Sequence, residues 1–258
     1  MRQIRRRIGE WLPREEDVVA RFRKEFAAHA RKRANAAQTN SAVADLAAFI
    51  RDDPVVRMDF TRAIGQAREA GFKLGYADID EFIVLLDAML TYAPPFSESS
   101  LIHCPVNALL DWPMVMPSGY ALFRDPAFNA HLKRVLNVWS AFVSGPYSRE
   151  HLNTRSPNGW FSHEADSKIG LSQFLCDPAK PYWGYASWNH FFTREFKPGA
   201  RPVAQPGNDK VIFSACEASP YNIHDNVKLQ DAFWIKSQPY SLIETNSDIS
   251  SMAGRLIA

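Results

Sequence analysis

The chain has 258 residues, 46% of them hydrophobic and 22% charged, with a formal net charge of +2. This composition is typical of a globular protein with one large domain or two modest ones, and the small charge gives no support for nucleic-acid binding. No apolar run approaches the roughly 20 residues of a membrane-spanning helix, and three cysteines without metal-ligand spacing favour a reducing compartment, so we expect a cytoplasmic protein. Basic residues before position 34 are typical of a solvated helix face or a loose tail, with an anionic membrane surface or organelle targeting as the alternative.

Apolar residues recur at helical spacing through the first half of the sequence, which predicts a series of short helices. The predicted helices are 15–33, a second ending at Asp52, a third capped by Asp53 with Pro54 in its first position, a fourth opened by Asp78 or Asp80, and a fifth from Asp125-Pro126 to Gly145-Pro146. Between the fourth and the fifth, spaced prolines predict short apolar turns rather than one long element. We therefore expect an all-helical bundle around a shared core.

Residues 145–170 are richer in Gly, Pro, Asn and Ser, which predicts a linker that contains a docking segment. The stretch that follows is dense in aromatic residues. Ser187 is a candidate N-cap for a short helix in it, which Pro198 and Gly199 end. The chain then leads away in extended form because of a further Arg-Pro pair. We call residues 188–202 the motif segment.

The aromatic side chains around this helix have two interpretations. They could stack on a ligand or pack into the core, and aromatic residues at helical spacing favour packing. Arg194 and Arg201 likewise could hold a carboxylate or phosphate, or could bond to neighbouring carbonyls and acids, which we favour. The aromatic residues concerned are Trp183, Tyr185, Trp188, Phe191 and Phe192.

Beyond about residue 205 the pattern changes to that of β-strands. Val211–Ala215 and Phe233–Lys236 are predicted strands, and Gln238-Pro239 is predicted to begin a turn into residues 240–243. About two or three strands are too few to close a sheet with its own core. The predicted fold class is therefore α+β, an all-helical N-terminal domain followed by the incomplete start of a β-rich domain.

Few residues point to a catalytic or metal site. Cys216 and Glu217 follow the first predicted strand, where a carboxylate either caps backbone amides or orients a catalytic base, and both interpretations stay open. Cys216 has no basic partner nearby in sequence that would activate it as a nucleophile. His163-Glu164 with Asp166 is the nearest approach to a metal cluster, and a polar loop explains it better. The sequence has neither a glycine-rich phosphate loop after a strand nor a Gly-x-Ser-x-Gly elbow.

Several segments resemble the phosphatidylserine decarboxylase family. Segment 236–242 is similar to the family's Lys-Gly-x-x-Tyr-Ser-Leu, with Tyr240 and Ser241 in the matching positions. The helical first half, with residues 49–56, is similar to the N-terminal extension of a branch that includes fungal L-tryptophan decarboxylases. The signature Phe-Phe-x-Arg-x-x-Lys-Pro-x-x-Arg-Pro is matched by Phe191, Phe192, Arg194, Lys197, Pro198, Arg201 and Pro202.

The resemblance implies a pyruvoyl-dependent carboxy-lyase, and the scattered histidines of the sequence give no support for a metal. Family enzymes make the pyruvoyl group from a serine in a Gly-Ser-Ser or Leu-Gly-Ser-Thr motif, and a histidine oriented by a carboxylate activates that serine. The pyruvoyl carbonyl forms a Schiff base with the substrate amine and accepts electrons as carbon dioxide leaves. The implied partner is a small-molecule amine or amino acid. The helical domain favours a soluble aromatic amino acid over the headgroup of phosphatidylserine.

The resemblance also implies that part of the catalytic machinery is missing. The 258 residues contain neither serine motif nor the family's His-Arg-x-His segment, so we expect a chain that is inactive alone, with a helical domain over 1–165 and a truncated catalytic domain over 166–258. In strict register Cys216 stands opposite the family's aspartate, and Glu217 takes the orienting role after a local shift. A second polypeptide could supply the rest. The alternative is a non-catalytic helical binding or regulatory module with a vestigial decarboxylase tail.

Overall fold

The computed structural model describes residues 16–34, 39–97, 104–213, 233–235 and 238–240. These residues divide into two compact units, the first ending at Glu195 and the second beginning at Phe196. Among the described helices, none combines the length and the apolar character that crossing a membrane requires. The predicted division into 1–165 and 166–258 concerns family domains rather than contacts, and it stays a prediction.

Helices dominate the first unit, and those of the predicted bundle lie where the sequence pattern places them. Short 3-10 turns cover Pro146–Arg149, Leu171–Gln173 and Pro181–Gly184. The α-helices that the structure describes are α1 Glu16–Ala34, α2 Ser41–Asp52, α3 Pro54–Glu69, α4 Ile79–Met89, α5 Pro105–Met114, α6 Pro117–Leu122, α7 Pro126–Val143, α8 His163–Ile169 and α9 Trp188–Phe192.

The predicted aspartate caps are confirmed. The Asp53 carboxylate accepts hydrogen bonds from the amides of Val55 and Val56 at 2.9 and 3.1 Å, and so satisfies two of the unpaired donors at the start of α3. Asp78, rather than Asp80, caps α4. Asp125 caps α7 in the same way, with a proline in the first helical position that needs no amide partner.

The core of the bundle is built from phenylalanine and leucine side chains. Phe60 of α3 is fully buried, and its ring centroid lies 5.0 Å from that of Phe82 and 6.0 Å from that of Phe128, both edge-to-face. Helix α2 packs along α7, α3 packs against α5 and α6, and α1 packs against α4. The helices therefore share one interior, as expected for a bundle.

Arg23 of α1 is buried inside this bundle, and the turn before α4 makes room for it. Its guanidinium donates to the carbonyl of Ala108 and, at 3.2 Å, to that of Lys73. Gly75 adopts a positive φ of 83°, and a Cβ there would come within 2.9 Å of the Cβ of Arg23. Glycine is therefore required both by the left-handed backbone and by the close approach.

Two expectations for the middle of the chain are wrong. The proline-spaced region forms the helices α5 and α6 rather than turns, because Pro105 and Pro117 each stand at a first helical position that tolerates proline. Residues 145–170 are not a linker either. Trp160 and Phe161 are each 5% exposed, and their amides donate to the carbonyls of His151 and Asn153, so the loop folds back into the core.

The described part of the second unit contains one antiparallel strand pair, β1 Phe233–Ile235 with β2 Gln238–Tyr240. Gln238 and Pro239 therefore lie in a strand rather than in the predicted turn. The predicted buried strand over 211–215 is not seen in its described part, because residues 211–213 form no strand and Ile212 is 95% exposed. The helical part of the α+β prediction is thus confirmed, whereas the β-rich domain stays a prediction.

Candidate functional site

The motif segment begins at α9, whose first turn is fixed by side chains close to it in sequence. The hydroxyl of Ser187 accepts a hydrogen bond from the amide of His190 at 3.0 Å, which confirms the predicted cap. The ring Nδ1 of His190 accepts in turn from the amide of Ala186 at 3.1 Å. The residues on both sides of the helix start therefore hold each other in place.

The indoles of two tryptophans anchor this helix to the bundle. Trp188 of α9 and Trp160 donate from Nε1 to the same carbonyl, that of Pro94, at 3.0 and 2.8 Å. A carbonyl oxygen has two lone pairs and can accept both bonds. Each buried indole N–H is thereby satisfied, as burial of a polar group requires.

Ser148 provides a second anchor. It is fully buried, and its hydroxyl accepts a hydrogen bond from the amide of Trp188 at 2.9 Å. The same hydroxyl lies 2.7 Å from the carbonyl of Gly145 and 3.0 Å from that of Val143, to either of which it donates. One serine therefore joins the end of α7 to the start of α9.

Around these anchors the aromatic side chains form a closed core, which we call the aromatic cluster. Phe191 is 0% exposed, with its ring centroid 5.1 Å from that of Trp160 and 5.4 Å from that of Tyr185. The cluster consists of Ala93, Phe96, Val143, Leu152, Trp160, Phe161, Ala165, Leu171, Tyr185, Trp188 and Phe191. For its aromatic members the packing interpretation is confirmed over ligand stacking.

Two aromatic residues of the same stretch lie at the edge of this cluster. Trp183 is partly buried and stacks on Phe161, with ring centroids 4.3 Å apart. Phe192 is 54% exposed and stacks on Trp188 at 4.9 Å. The Phe-Phe pair of the motif therefore has one ring inside the core and one on the surface.

Tyr185 does not provide acid–base chemistry near neutral pH. Burial raises the pKa of its hydroxyl to about 12, with a smaller contribution from Cys176. The hydroxyl donates to the carbonyl of Leu175 at 3.4 Å. In the described structure this hydroxyl is therefore engaged by a backbone carbonyl.

Arg194 lies on aromatic faces rather than in an acidic site. Its guanidinium carbon is 4.3 Å from the ring centroid of Phe174 and 4.8 Å from that of Phe191, and it donates to the Phe191 carbonyl at 3.2 Å. Burial lowers the pKa of Arg194, although an arginine stays charged under any physiological condition. This geometry favours carbonyl contacts over anion binding.

The rest of the motif lies in the second unit and is exposed. Lys197 begins a turn in which its carbonyl accepts from the amide of Ala200 at 3.0 Å, and Gly199 has the positive φ of 80° that this turn uses. Arg201 donates to the carbonyl of Ala200 at 3.0 Å, and its guanidinium lies 4.7 Å from the ring centroid of Phe196. Pro198 and Pro202 are exposed beside it.

The remaining predicted site residues are only partly covered by the structure. Glu217, Cys216 and Ser241 lie outside the described residues, so the orienting role of Glu217 stays a prediction. Tyr240 is the last residue of β2, and its backbone pairs with that of Phe233. The roles assigned to the family-motif residues stay predictions as well.

The nearest approach to a metal cluster is part of a helix rather than of a polar loop. Glu164 accepts from the hydroxyl of Ser156 at 2.7 Å, and Asp166 accepts from the amide of Leu171 at 2.7 Å, so each carboxylate has a structural role in or beside α8. Across the part of the chain that the structure describes, no group of three or more His, Cys, Asp or Glu residues is arranged to hold a metal ion.

Sequence reasoning missed the anchors of α9. Ser148 lies two residues after the Gly145-Pro146 pair that ends α7. That spacing is the sole local signal in the sequence for a hydroxyl that bonds to the last carbonyls of α7. The carbonyl of Pro94 carries no sequence signal, since its partners are 66 and 94 residues away.

Comparison with known proteins matches both the helical unit and the motif segment. A family model described as phosphatidylserine decarboxylase matches residues 40–169, half of the chain, and a second with the same description matches residues 188–255. The chain belongs to the phosphatidylserine decarboxylase family. The first match covers most of the bundle, and the second begins at the first residue of α9.

Individual members of the family show which branch this chain is similar to. L-tryptophan decarboxylase of Psilocybe cyanescens is 26% identical over 92% of this chain and 56% of its own length. Decarboxylase iboD of Amanita muscaria (strain Koide BX008) is 38% identical over 54% of this chain and 42% of its own length. The phosphatidylserine decarboxylase proenzyme of Fusobacterium nucleatum is 30% identical over 50% of this chain and 39% of its own length. The chain spans about half the length of these curated relatives.

Proposed function

We propose that this chain is the N-terminal part of a pyruvoyl-dependent carboxy-lyase that decarboxylates an aromatic L-amino acid, with the headgroup of phosphatidylserine as the second candidate substrate. The observation that carries this proposal is the extent of similarity to the Psilocybe cyanescens L-tryptophan decarboxylase, which reaches 92% of the chain and so includes the helical unit. The phosphatidylserine decarboxylase proenzymes match half of the chain or less. The extent of the match is therefore what favours the amino-acid substrate.

The chain's own residues support a positioning role for the helical unit. The first turn of α9 is bonded to Ser148 and to the Pro94 carbonyl, and Phe191 is enclosed by the aromatic cluster. The start of the decarboxylase signature is thus packed on the bundle rather than attached by a linker. In this proposal the helical unit fixes where the catalytic domain begins.

The residues present do not fit the pyruvoyl group itself. The group derives from a serine that follows a glycine, and no glycine in the 258 residues precedes a serine. We therefore derive no step through this group and assign no described residue to it. Glu217 as an orienting carboxylate, a second polypeptide that completes the site and a cytoplasmic location are further parts of the proposal.

The proposal is tested first on the purified 258-residue chain, incubated with L-tryptophan, L-tyrosine and phosphatidylserine while carbon dioxide is measured. We expect no release above a boiled control. The chain is then co-expressed with the C-terminal part of the Psilocybe cyanescens relative. Formation of tryptamine supports the proposal, whereas formation of phosphatidylethanolamine alone would transfer the assignment to the phospholipid substrate. Release by the purified chain alone would contradict its predicted inactivity.

A non-catalytic helical module is the second candidate function, and one observation favours it. The first compact unit ends at Glu195 and has its own buried core. Limited proteolysis separates the two hypotheses. A stable helical product with residues beyond about 205 digested favours the module. Protection of those residues when the C-terminal part is present favours the decarboxylase.

A further inference from the structure

A surface cleft of about 590 Å³ lies among α2, α3 and α4. None of its lining residues belongs to the motif segment or to the aromatic cluster. Its size falls in the range of about 300–1,000 Å³ that small-molecule sites occupy. Apolar side chains line its floor, namely Ala47, Ile50, Ile64 and Ile83, and charged side chains line its rim, namely Arg51, Arg57, Arg68, Asp78 and Asp80.

The charges divide the cleft into two ends. Arg57, Thr61, Gly65 and Arg68 follow one face of α3, and Arg57 and Arg68 are separated by about 16 Å at a rise of about 1.5 Å per residue. Arg57 donates to the carbonyl of Arg51 at 2.6 Å, and both arginines line the first end. The Asp52 carboxylate lies 3.5 Å from the guanidinium of Arg51.

The second end combines both signs of charge. Arg68 donates to the carbonyl of Ala77 at 3.3 Å, which places its guanidinium beside the first turn of α4. Asp78 is engaged there, because its carboxylate accepts from the amide of Glu81 at 2.9 Å. Asp80 is exposed in the same turn and lines the cleft. One guanidinium and one exposed carboxylate therefore line this end of the cleft.

Between the two ends the wall is open at Gly65. A Cβ built at this glycine meets no atom within 4 Å, so α3 presents bare backbone to the cleft at this point. Ile64 and Ile83 line the same region. A flat apolar group can therefore lie against the backbone of α3 with aliphatic side chains beside it.

We propose that this cleft binds a zwitterionic α-amino acid with a flat apolar side chain, as a site separate from the decarboxylase signature. The ligand carboxylate meets Arg68, its ammonium group meets Asp80, and its side chain lies over Gly65. An α-amino acid carries its carboxylate and its ammonium group on one carbon, which matches the end of the cleft where Arg68 and Asp80 lie. A bidentate contact between the guanidinium and the ligand carboxylate orients the ligand there. The assignment of the ligand class rests on the cleft, and only the choice of L-tryptophan as probe rests on the proposed function.

The test is calorimetric titration of the 258-residue chain with L-tryptophan, tryptamine and indole-3-propionate. We expect saturable one-site binding of L-tryptophan, and binding at least tenfold weaker for the analogues that lack the carboxylate or the ammonium group. Equal binding of either analogue overturns the zwitterion assignment. Tighter binding of glycerophosphoserine than of L-tryptophan also overturns it, in favour of a phospholipid headgroup at the two-arginine end.

Variants locate the binding. Arg68→Gln and Asp80→Asn should each weaken L-tryptophan at least fivefold, whereas Arg62→Gln, on the same helix but outside the cleft lining, should leave the affinity unchanged. Gly65→Leu fills the open wall and should abolish binding, with Gly65→Ala as the smaller matched change. Because leucine and alanine favour a helix more than glycine does, both variants should fold. Unchanged affinity in Gly65→Leu and Arg68→Gln overturns the site. Binding is measured without turnover, so its failure is distinct from a failure of the decarboxylase proposal.

Discussion

The aromatic cluster and the α2–α3–α4 cleft lie in the same compact unit and use opposite chemistry. The cluster is closed, with Phe191 fully buried and both tryptophan indoles bonded to one carbonyl. The cleft is open, with charged side chains on its rim and space at Gly65. The start of the motif segment is therefore packed into a core, whereas the space for a small molecule lies outside that segment.

This difference shows that an unusual residue pattern in the sequence does not by itself indicate a ligand site. The dense aromatic run is a candidate ligand surface in the sequence, but its buried side chains pack against one another and leave no space for a ligand. The charged residues of the cleft do not indicate a ligand site in the sequence, because each alone is typical of a solvated helix face. Mutations in the two regions should therefore act on different measurements, stability for the cluster and ligand binding for the cleft.

The largest expected effect comes from the two phenylalanines at the start of the signature. Phe191→Ala should lower the free energy of unfolding by about 3–5 kcal/mol, because it leaves a cavity in a closed core. Phe192→Ala is the matched control, and since that ring is half exposed we expect a loss of less than about 1 kcal/mol. Urea unfolding followed by far-UV circular dichroism measures both. Equal losses would mean that the closed cluster does not exist in solution.

Ser148 tests whether α9 is truly joined to the bundle. Ser148→Ala removes the acceptor for the buried amide of Trp188, and an unsatisfied buried donor costs about 1–3 kcal/mol. Ser167→Ala is the control, because its hydroxyl is exposed and donates to the Glu164 carbonyl within the same helix. Hydrogen exchange of the Trp188 amide should accelerate in the first variant and not in the second. A protected amide in Ser148→Ala would argue against the anchor.

Local chemistry explains which of these features could be predicted from sequence. The helix starts at Asp53-Pro54 and Asp125-Pro126 and the cap at Ser187 depend on residues within one turn, and the structure confirms all three. The burial of Trp160 depends on Pro94 and Phe191, which are distant in sequence, so the polar loop around Trp160 resembled a linker. Composition describes the average of a segment and misses two aromatic residues within it.

The cleft could not be predicted for a related reason. Its lining comes from three helices and the turn before one of them, and no spacing within a single helix indicates that Arg68 and Asp80 share a rim. Of the candidate site, the sequence predicted the cap, the packed aromatic residues and the carbonyl contacts of Arg194. Glu217 and Ser241 lie outside the described residues, and their roles stay predictions.

Substitutions at two glycines compare an open position with a closed one, with smaller expected changes in the free energy of unfolding. Gly65→Ala should raise the free energy of unfolding by roughly 0.5–1 kcal/mol, because the new methyl group meets no atom and the helix loses its glycine. Gly119→Ala should do the reverse, because a Cβ there would lie 1.7 Å from the carbonyl oxygen of Pro113. Thermal melts of the two variants check the signs. A destabilised Gly65→Ala would show that the cleft wall is packed after all.

The smallest expected effect is a change in pH dependence at the edge of the aromatic cluster. Burial lowers the pKa of His151, opposed in part by Glu150, and the backbone carbonyl of His151 accepts from the amide of Trp160 at 2.9 Å. A folded-state pKa below the unfolded value of about 6.5 means that the unfolded chain binds more protons in acid. The stability from neutral His151 is therefore fully present above that unfolded pKa and is lost as the pH falls through the folded pKa.

His151→Gln removes this contribution, so the wild type should lose more unfolding free energy than the variant between pH 7.5 and pH 5.5. Urea titrations at the two pH values measure the difference. Burial and Arg134 also lower the pKa of His131, but that histidine is present in both proteins and cancels in the comparison. His163→Gln, at the exposed start of α8, is the control for replacing a histidine outside the aromatic cluster. Parallel losses in wild type and His151→Gln would mean that the imidazole is as well solvated in the folded chain as in the unfolded one. The side chain of His151 would then lie outside the buried surroundings of the aromatic cluster.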